Sequence, residues 1–173
     1  MDLAASVGLR LRELREAQGI SLSELARQSK IGKGTLSELE SGRRNPTLET
    51  LYALTTALKV PLSTALHELS PSPAAISGHA VDAVLTERFE TDTSVTETYR
   101  IRIRSGTTQE SAAHSPGTTE HIIVLAGTAR VGELDDPVPI GPGMHASWPA
   151  DVPHLYQAPA GDVEALLIVR YPR

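Results

Sequence analysis

The sequence predicts an α + β chain of two domains, five short helices followed by an all-β barrel or double sheet. Three observations predict it. Apolar residues recur at helical spacing through about the first seventy positions. Beyond a Pro- and Ser-rich break they alternate with polar residues, as strands require. Charge divides at the same place: residues 1–70 carry nine Lys/Arg against eight Asp/Glu, a net of +1, and the other 103 carry seven against thirteen, a net of −6. A polyanionic duplex would be repelled by the second half, so any nucleic-acid contact falls to the first.

The helices follow in order. Over residues 7–18 an apolar stripe of Val7, Leu11 and Leu14 faces inward, while Arg10, Arg12, Glu13, Arg15 and Glu16 take the other face. Gly19 ends that helix. Ser21 followed by Glu24 forms a capping box for a second helix over residues 22–29. Ile31 plugs the turn, and a third helix runs over residues 33–40 with Leu36 and Leu39 inward. Thr47 caps a fourth, whose Leu48, Leu51, Leu54 and Leu58 repeat at helical spacing. Pro61 breaks the chain before a fifth over residues 62–69. Two helices joined by a tight turn, the second with a small exposed start, can place side chains at base edges in the major groove.

The stretch LSELARQSKIGKGTLSELESGRRNPTLETLYALTTAL resembles the lambda-repressor-like, or XRE-type, helix-turn-helix family, at Leu25-Ala26, Ile31, Leu36, Leu39-Glu40, Gly42, Pro46 and Leu51. The resemblance implies a DNA-binding transcriptional regulator with a five-helix domain. On it, Lys33, Gly34, Thr35, Ser37 and Glu38 are the expected base-facing residues of the third helix. Lys33 suits a guanine and Glu38 a cytosine amino group, and Gly34 suits close backbone approach. Arg43, Arg44 and Asn45 are the expected phosphate contacts after the helix, and Ser21 or Ser23 a backbone donor at the start of the second. Arg27 is a weaker candidate, and Glu40 is expected to be structural.

Residues 70–77, SPSPAAIS, with two prolines and three serines, read as a linker between a helical domain (1–69) and a second domain (78–173). Alternation in the latter marks strands at Val84, Thr86 and Arg88, through residues 95–104, and again at 120–125, 128–132, 144–148, 155–158 and 163–171. Gly and Pro clusters separate them. Seven or eight short strands argue a barrel or double sheet. With one Phe, one Trp and four Tyr, the cores must be filled by Leu, Val, Ile and Ala.

His114, Glu120 and Gly127, and then Gly143, Pro149, Asp151 and His154, resemble the two motifs of the cupin, a small jelly-roll barrel. The family's paired histidine is missing beside His114, and Asp151 stands where the second motif has Gly. The resemblance implies a small-molecule sensor domain whose pocket includes His114, Glu120, Trp148, His154 and Tyr156. Trp148 and Tyr156 read equally as pocket or core residues. His114, Glu120 and His154 could form a 2-His-1-carboxylate set for Fe, Mn, Ni or Zn. On strand alternation His121 points away from Glu120. Arg100, Arg102 and Arg104 share one strand face, solvated or at a subunit contact, or inward toward an anion.

Together the two resemblances imply a small bacterial regulator that works as a homodimer on a double-stranded operator and answers to a small-molecule effector. The alternative is a metal-dependent cupin enzyme, non-haem iron oxygenase or epoxidase-like, carrying the same helical domain. The absence of cysteine excludes disulfides and thiolate metal sites. No apolar run approaches the ~18 residues of a membrane span, which makes a soluble cytoplasmic protein the expectation, with no membrane partner.

Overall fold

The computed structural model describes residues 3–66 and 75–173. The chain divides into two compact units, Met1–Ala74 and Ala75–Arg173. The first holds five helices, α1 (Leu3–Ala17), α2 (Leu22–Ser29), α3 (Lys33–Glu40), α4 (Leu48–Ala57) and α5 (Leu62–Leu66). Residues 67–69, which the sequence assigns to the fifth helix, lie outside the described residues. No described helix is long and apolar enough to cross a membrane.

The helical core is built almost wholly from leucine. Leu11, Leu25, Leu36, Leu54, Leu58 and Leu62 are all fully buried. Each such side chain contributes roughly 1.5–3 kcal/mol by leaving water. The caps stand where the pattern puts them: Ser21 accepts from the Glu24 amide at 3.1 Å, and Thr47 accepts from the Thr50 amide at 3.3 Å. α1 crosses the end of α3 so closely that a Cβ on Gly8 would lie 2.1 Å from the Leu39 carbonyl oxygen. Gly42, at φ +70°, ends α3, and a Cβ there would meet the Ala5 backbone at 2.8 Å. One expectation is corrected. Arg15 does not lie on the solvated face of α1; it is buried, with Nε and Nη2 donating to the two oxygens of Glu40 at 2.8 Å each and Nη1 to the Ile20 carbonyl at 2.9 Å. A guanidinium satisfied by a bidentate carboxylate and a carbonyl can be buried, which periodicity alone does not reveal.

The second unit has ten strands: β1 (Ala75–Ser77), β2 (Val81–Glu90), β3 (Ser94–Ile103), β4 (Thr108–Ser111), β5 (Thr119–Ala126), β6 (Ala129–Glu133), β7 (Val138–Ile140), β8 (His145–Pro149), β9 (His154–Gln157) and β10 (Val163–Pro172). They form two antiparallel sheets, ordered β1-β2-β3-β10-β5-β8 and β4-β9-β6-β7, the double sheet expected from the alternation pattern. The short β1, β4 and β7 do not appear in the alternation pattern. Ala75–Ser77, expected in the linker, instead pair with β2, and the remainder of that linker lies outside the described residues.

Alternation along β3 and β10 sets the inner face. Tyr99, Ile101 and Ile103 are buried against Leu167, Ala165 and Val163 in register. Arg100 and Arg102 face outward, where they pair with Glu164 at 3.3 Å and with Asp162, and Arg104 pairs with Asp82. The inward alternative for these arginines is therefore excluded.

Candidate functional site

In the helical unit most of the candidate residues are exposed to solvent. The left-handed Lys30 (φ 57°) ends α2, and Ile31 follows half-buried in the turn. Gly32 precedes α3 without a side-chain cap, so no side chain claims the first amides of that helix. Lys33, Gly34 and Glu38 are exposed, Thr35 and Ser37 half-buried, and Leu36 and Leu39 anchor the opposite face. A Cβ added to Gly34 would meet nothing within 4 Å, so packing within the chain does not require glycine there. Arg43, Arg44 and Asn45 follow, all exposed, as are Ser21 and Ser23. Arg44 Nη1 stands 3.4 Å from Glu38, which partly neutralises the one acidic group on this face. Arg27 is drawn into a hydrogen-bonded pair with Glu24, at 3.0 Å from its Nε, and is less available than the others. Behind the surface, the Arg15–Glu40 pair and the Gly8 and Gly42 contacts hold α3 against α1. The structural role expected of Glu40 is the one observed.

In the β unit, three elements bring the second set together. His114 lies in the segment between β4 and β5, pinned by its amide donating to the Ala150 carbonyl at 2.8 Å. Glu120 is on β5, and His154 begins β9. Asp151, the departure from the motif, accepts from the Gly117 amide at 2.8 Å and so ties the two motifs together. The ligand atoms of His114, Glu120 and His154 all lie within 4.8 Å of one another, and all three side chains are buried. His114 Nε2 donates to Glu120 Oε1 at 3.0 Å, and the Tyr156 hydroxyl donates to Oε2. Trp148 stands opposite Glu120 in register, with its ring centroid 6.1 Å from that of His154 and 5.8 Å from that of Tyr156. Trp148 and Tyr156 thus flank the cluster while also being buried. His121 is exposed on the opposite face, as alternation requires.

The electrostatics test whether a cation fits. Burial pushes the Glu120 carboxyl up, but the hydrogen bond from His114, together with His154 and the Tyr156 hydroxyl, holds it below its ordinary value. His154 moves down: burial disfavours its charged form, and Glu120 and the Val152 carbonyl offset this only in part. Because a carbonyl can only accept, His154 Nδ1 carries the proton it donates to Val152 at 2.8 Å. Its Nε2 therefore presents a lone pair, buried and without a hydrogen-bond partner, 3.4 Å from Glu120 Oε2. Two lone pairs facing each other out of water are mutually unfavourable, and a cation between them satisfies both. Two imidazoles and a carboxylate fit a divalent transition metal, and the group could hold one.

The comparisons agree with this two-part anatomy. The HTH_3 helix-turn-helix family model matches residues 11–64. Sixty residues are 45% identical to the transcriptional regulator ClgR of Mycobacterium tuberculosis, covering 35% of this chain and 54% of that protein. The crystal structure of an HTH_3 family transcriptional regulator from Vibrio cholerae superposes with a TM-score of 0.88 at 26% identity, over 99% of this chain and 98% of that one. Over 99% of its length the chain is 30% identical to the HTH-type transcriptional regulator SutR of Escherichia coli (strain K12), spanning 98% of that protein. With a helix-turn-helix in its first unit and a two-sheet β unit as its second, the chain belongs to the HTH-type transcriptional regulators.

Proposed function

We propose that this regulator reads its operator with the α3 surface, as a cytoplasmic homodimer, and that its barrel senses a small effector that alters operator affinity. The observation that carries the reading is the exposed, uncapped start of α3 followed by a basic exit, all on a rigidly held helix. Lys33, Thr35, Ser37 and Glu38 contact base edges, and Gly34 lets the backbone come close. Arg43, Arg44 and Asn45, with Ser21 and Ser23, hold the phosphates. One such helix offers few contacts, so two half-sites about one helical turn apart supply the remaining affinity. Effector binding changes DNA affinity only by favouring one of two arrangements. Footprinting on the DNA beside the chain's own gene tests the reading. A protected two-fold site supports it, and no specific protection, with or without metabolite extract, sinks it.

His114, Glu120 and His154 would hold a divalent ion, which supplies a positive charge for binding a polar effector. The same triad favours a second reading, an iron-dependent oxygenase. The likeness to HTH-type transcriptional regulators over 99% of the chain favours the sensor reading. Elemental analysis without chelator, followed by oxygen-uptake measurements, separates the two. Stoichiometric iron with substrate-dependent oxygen consumption would establish the enzyme.

A further inference from the structure

A second polar pair lies on the inner face of the barrel, and a β-bulge brings its half-buried arginine there. β2 starts with odd-numbered residues inward: Val81 and Ala83 are buried opposite Ile103 and Ile101. The register then slips between Leu85 and Glu87, so that Arg88 pairs with Glu97 and Phe89 with Thr96. The slip reverses the parity of the strand. Arg88 joins the inward row, and Phe89 turns to solvent at 49% exposure. An arginine turned in and a phenylalanine turned out invert the ordinary preference of both side chains. A strand without the extra residue would avoid this, since one step of register exchanges the two faces. Bulges that re-aim a side chain concentrate beside functional sites.

Arg88, Glu97, Val169, Glu120 and Trp148 occupy successive in-register positions on β2, β3, β10, β5 and β8. Glu97 thus stands two strands from Glu120, roughly 9–10 Å away at strand spacing, with Val169 as the floor between them. It is fully buried and accepts a hydrogen bond from the Tyr99 hydroxyl. Arg88 Nε faces it at 3.8 Å, too far for a hydrogen bond, and that buried N–H has no acceptor. Arg88 Nη1 pairs with Glu90. At the other end of the row, Trp148 is buried and its Nε1–H also lacks an acceptor. Glu97 is fully buried while the Arg88 side chain stays 23% exposed, so the pair is loosely spaced and only one of its ions has left water, a weak way to stabilise a fold.

We infer that Arg88 and Glu97 form a second recognition pole for the barrel's ligand, and that this ligand is a small amphoteric acid of the α-amino acid class. The inference rests on the effector-sensing reading above. A simple anion would gain Arg88 but meet the carboxylate of Glu97, and a simple amine would meet the reverse. A molecule carrying both charges on one carbon satisfies both groups, and its side chain extends along Val169 toward Glu120 and Trp148. The acceptor-poor N–H groups at the two ends of the row favour such a molecule over an apolar one.

The test uses the full chain, purified without chelator. Glycine and the common L-α-amino acids are titrated by calorimetry and thermal shift, with acetate and methylamine as single-charge controls. At least one amino acid binds and raises Tm, and neither control does. Glu97→Gln, which preserves shape, weakens that binding at least tenfold, and so does Arg88→Lys, which keeps the charge but loses the planar fork. Should Glu97→Gln fail to fold, Arg88→Lys decides. No amino acid binding by a preparation that still binds operator DNA overturns the inference, as does binding of acetate or methylamine equal to that of the amino acid, or wild-type affinity in the folded variants. Absence of operator binding in the same preparation counts against the regulator reading instead.

Discussion

The helical unit keeps most of its candidate side chains in solvent and buries the polar groups that hold them, Arg15 and Glu40, whereas the β unit buries its candidate groups themselves. The difference follows from the partners. A duplex brings its own charge to a surface, and its phosphates can meet flexible, hydrated Arg and Lys side chains. A small ligand or metal ion must be gripped by converging groups already stripped of water, and these are stable only when each answers another. The first surface therefore tolerates substitution in its fold but not in its contacts. The second couples contact and fold.

The largest expected effect breaks the scaffold side of this comparison. Glu40→Ala leaves the Arg15 guanidinium buried without its bidentate partner and should cost about 3–5 kcal/mol, read as a fall in the denaturant midpoint of the helical unit. In the barrel, Tyr156→Phe removes the hydroxyl that holds Glu120 Oε2 without removing a metal ligand. Metal affinity should fall ~10–100-fold by competition with a chromophoric chelator, while an unchanged affinity would leave Tyr156 as packing only. On the DNA face, Lys33→Ala and Glu38→Gln should each change discrimination at one base position by about 1–3 kcal/mol, measured against single-base operator variants.

Arg43→Ala with Arg44→Ala should weaken binding to all sequences alike and flatten the salt dependence by about 0.9 per lost phosphate contact. The smallest effect is a pH dependence at the rim of the helical unit. The Arg27 hydrogen bond, with that of Gln28, lowers the Glu24 carboxyl from 4.5 to about 2. A carboxyl depressed in the folded state contributes stability that is present above 4.5 and lost as pH falls through about 2. Because the pair is exposed, Glu24→Gln should alter acid unfolding only slightly over that window. A large shift would mean that Glu24 supports α2 more than its exposed setting implies.

Legibility differed between the units for the same reason. Along α2 and α3, the cap Ser21, the plug Ile31, the leucine stripe and the basic exit lie within 25 consecutive residues, where helical geometry converts spacing directly into position. In the barrel, His114, Glu120 and His154 were found through motif spacing, and they do converge. Arg88, Glu97 and Tyr99 carried no such signal. Alternation puts Arg88 on an ordinary strand, and the extra residue that turns it inward is silent in the pattern.

The amino-acid sequence by itself determined the two-part architecture, the order of the five helices, the caps and, through the motif resemblance, the His–Glu–His set, because each rests on periodicity or spacing along a short stretch. It started α1 at Val7, whereas the helix begins at Leu3. Only the tertiary structure decided that Arg15 is buried against Glu40, that Asp151 ties the two barrel motifs, and that Arg88 and Glu97 share a row with Glu120. Those facts depend on which residue of one strand or helix stands opposite which residue of another, and a one-residue step in that register exchanges inside for outside.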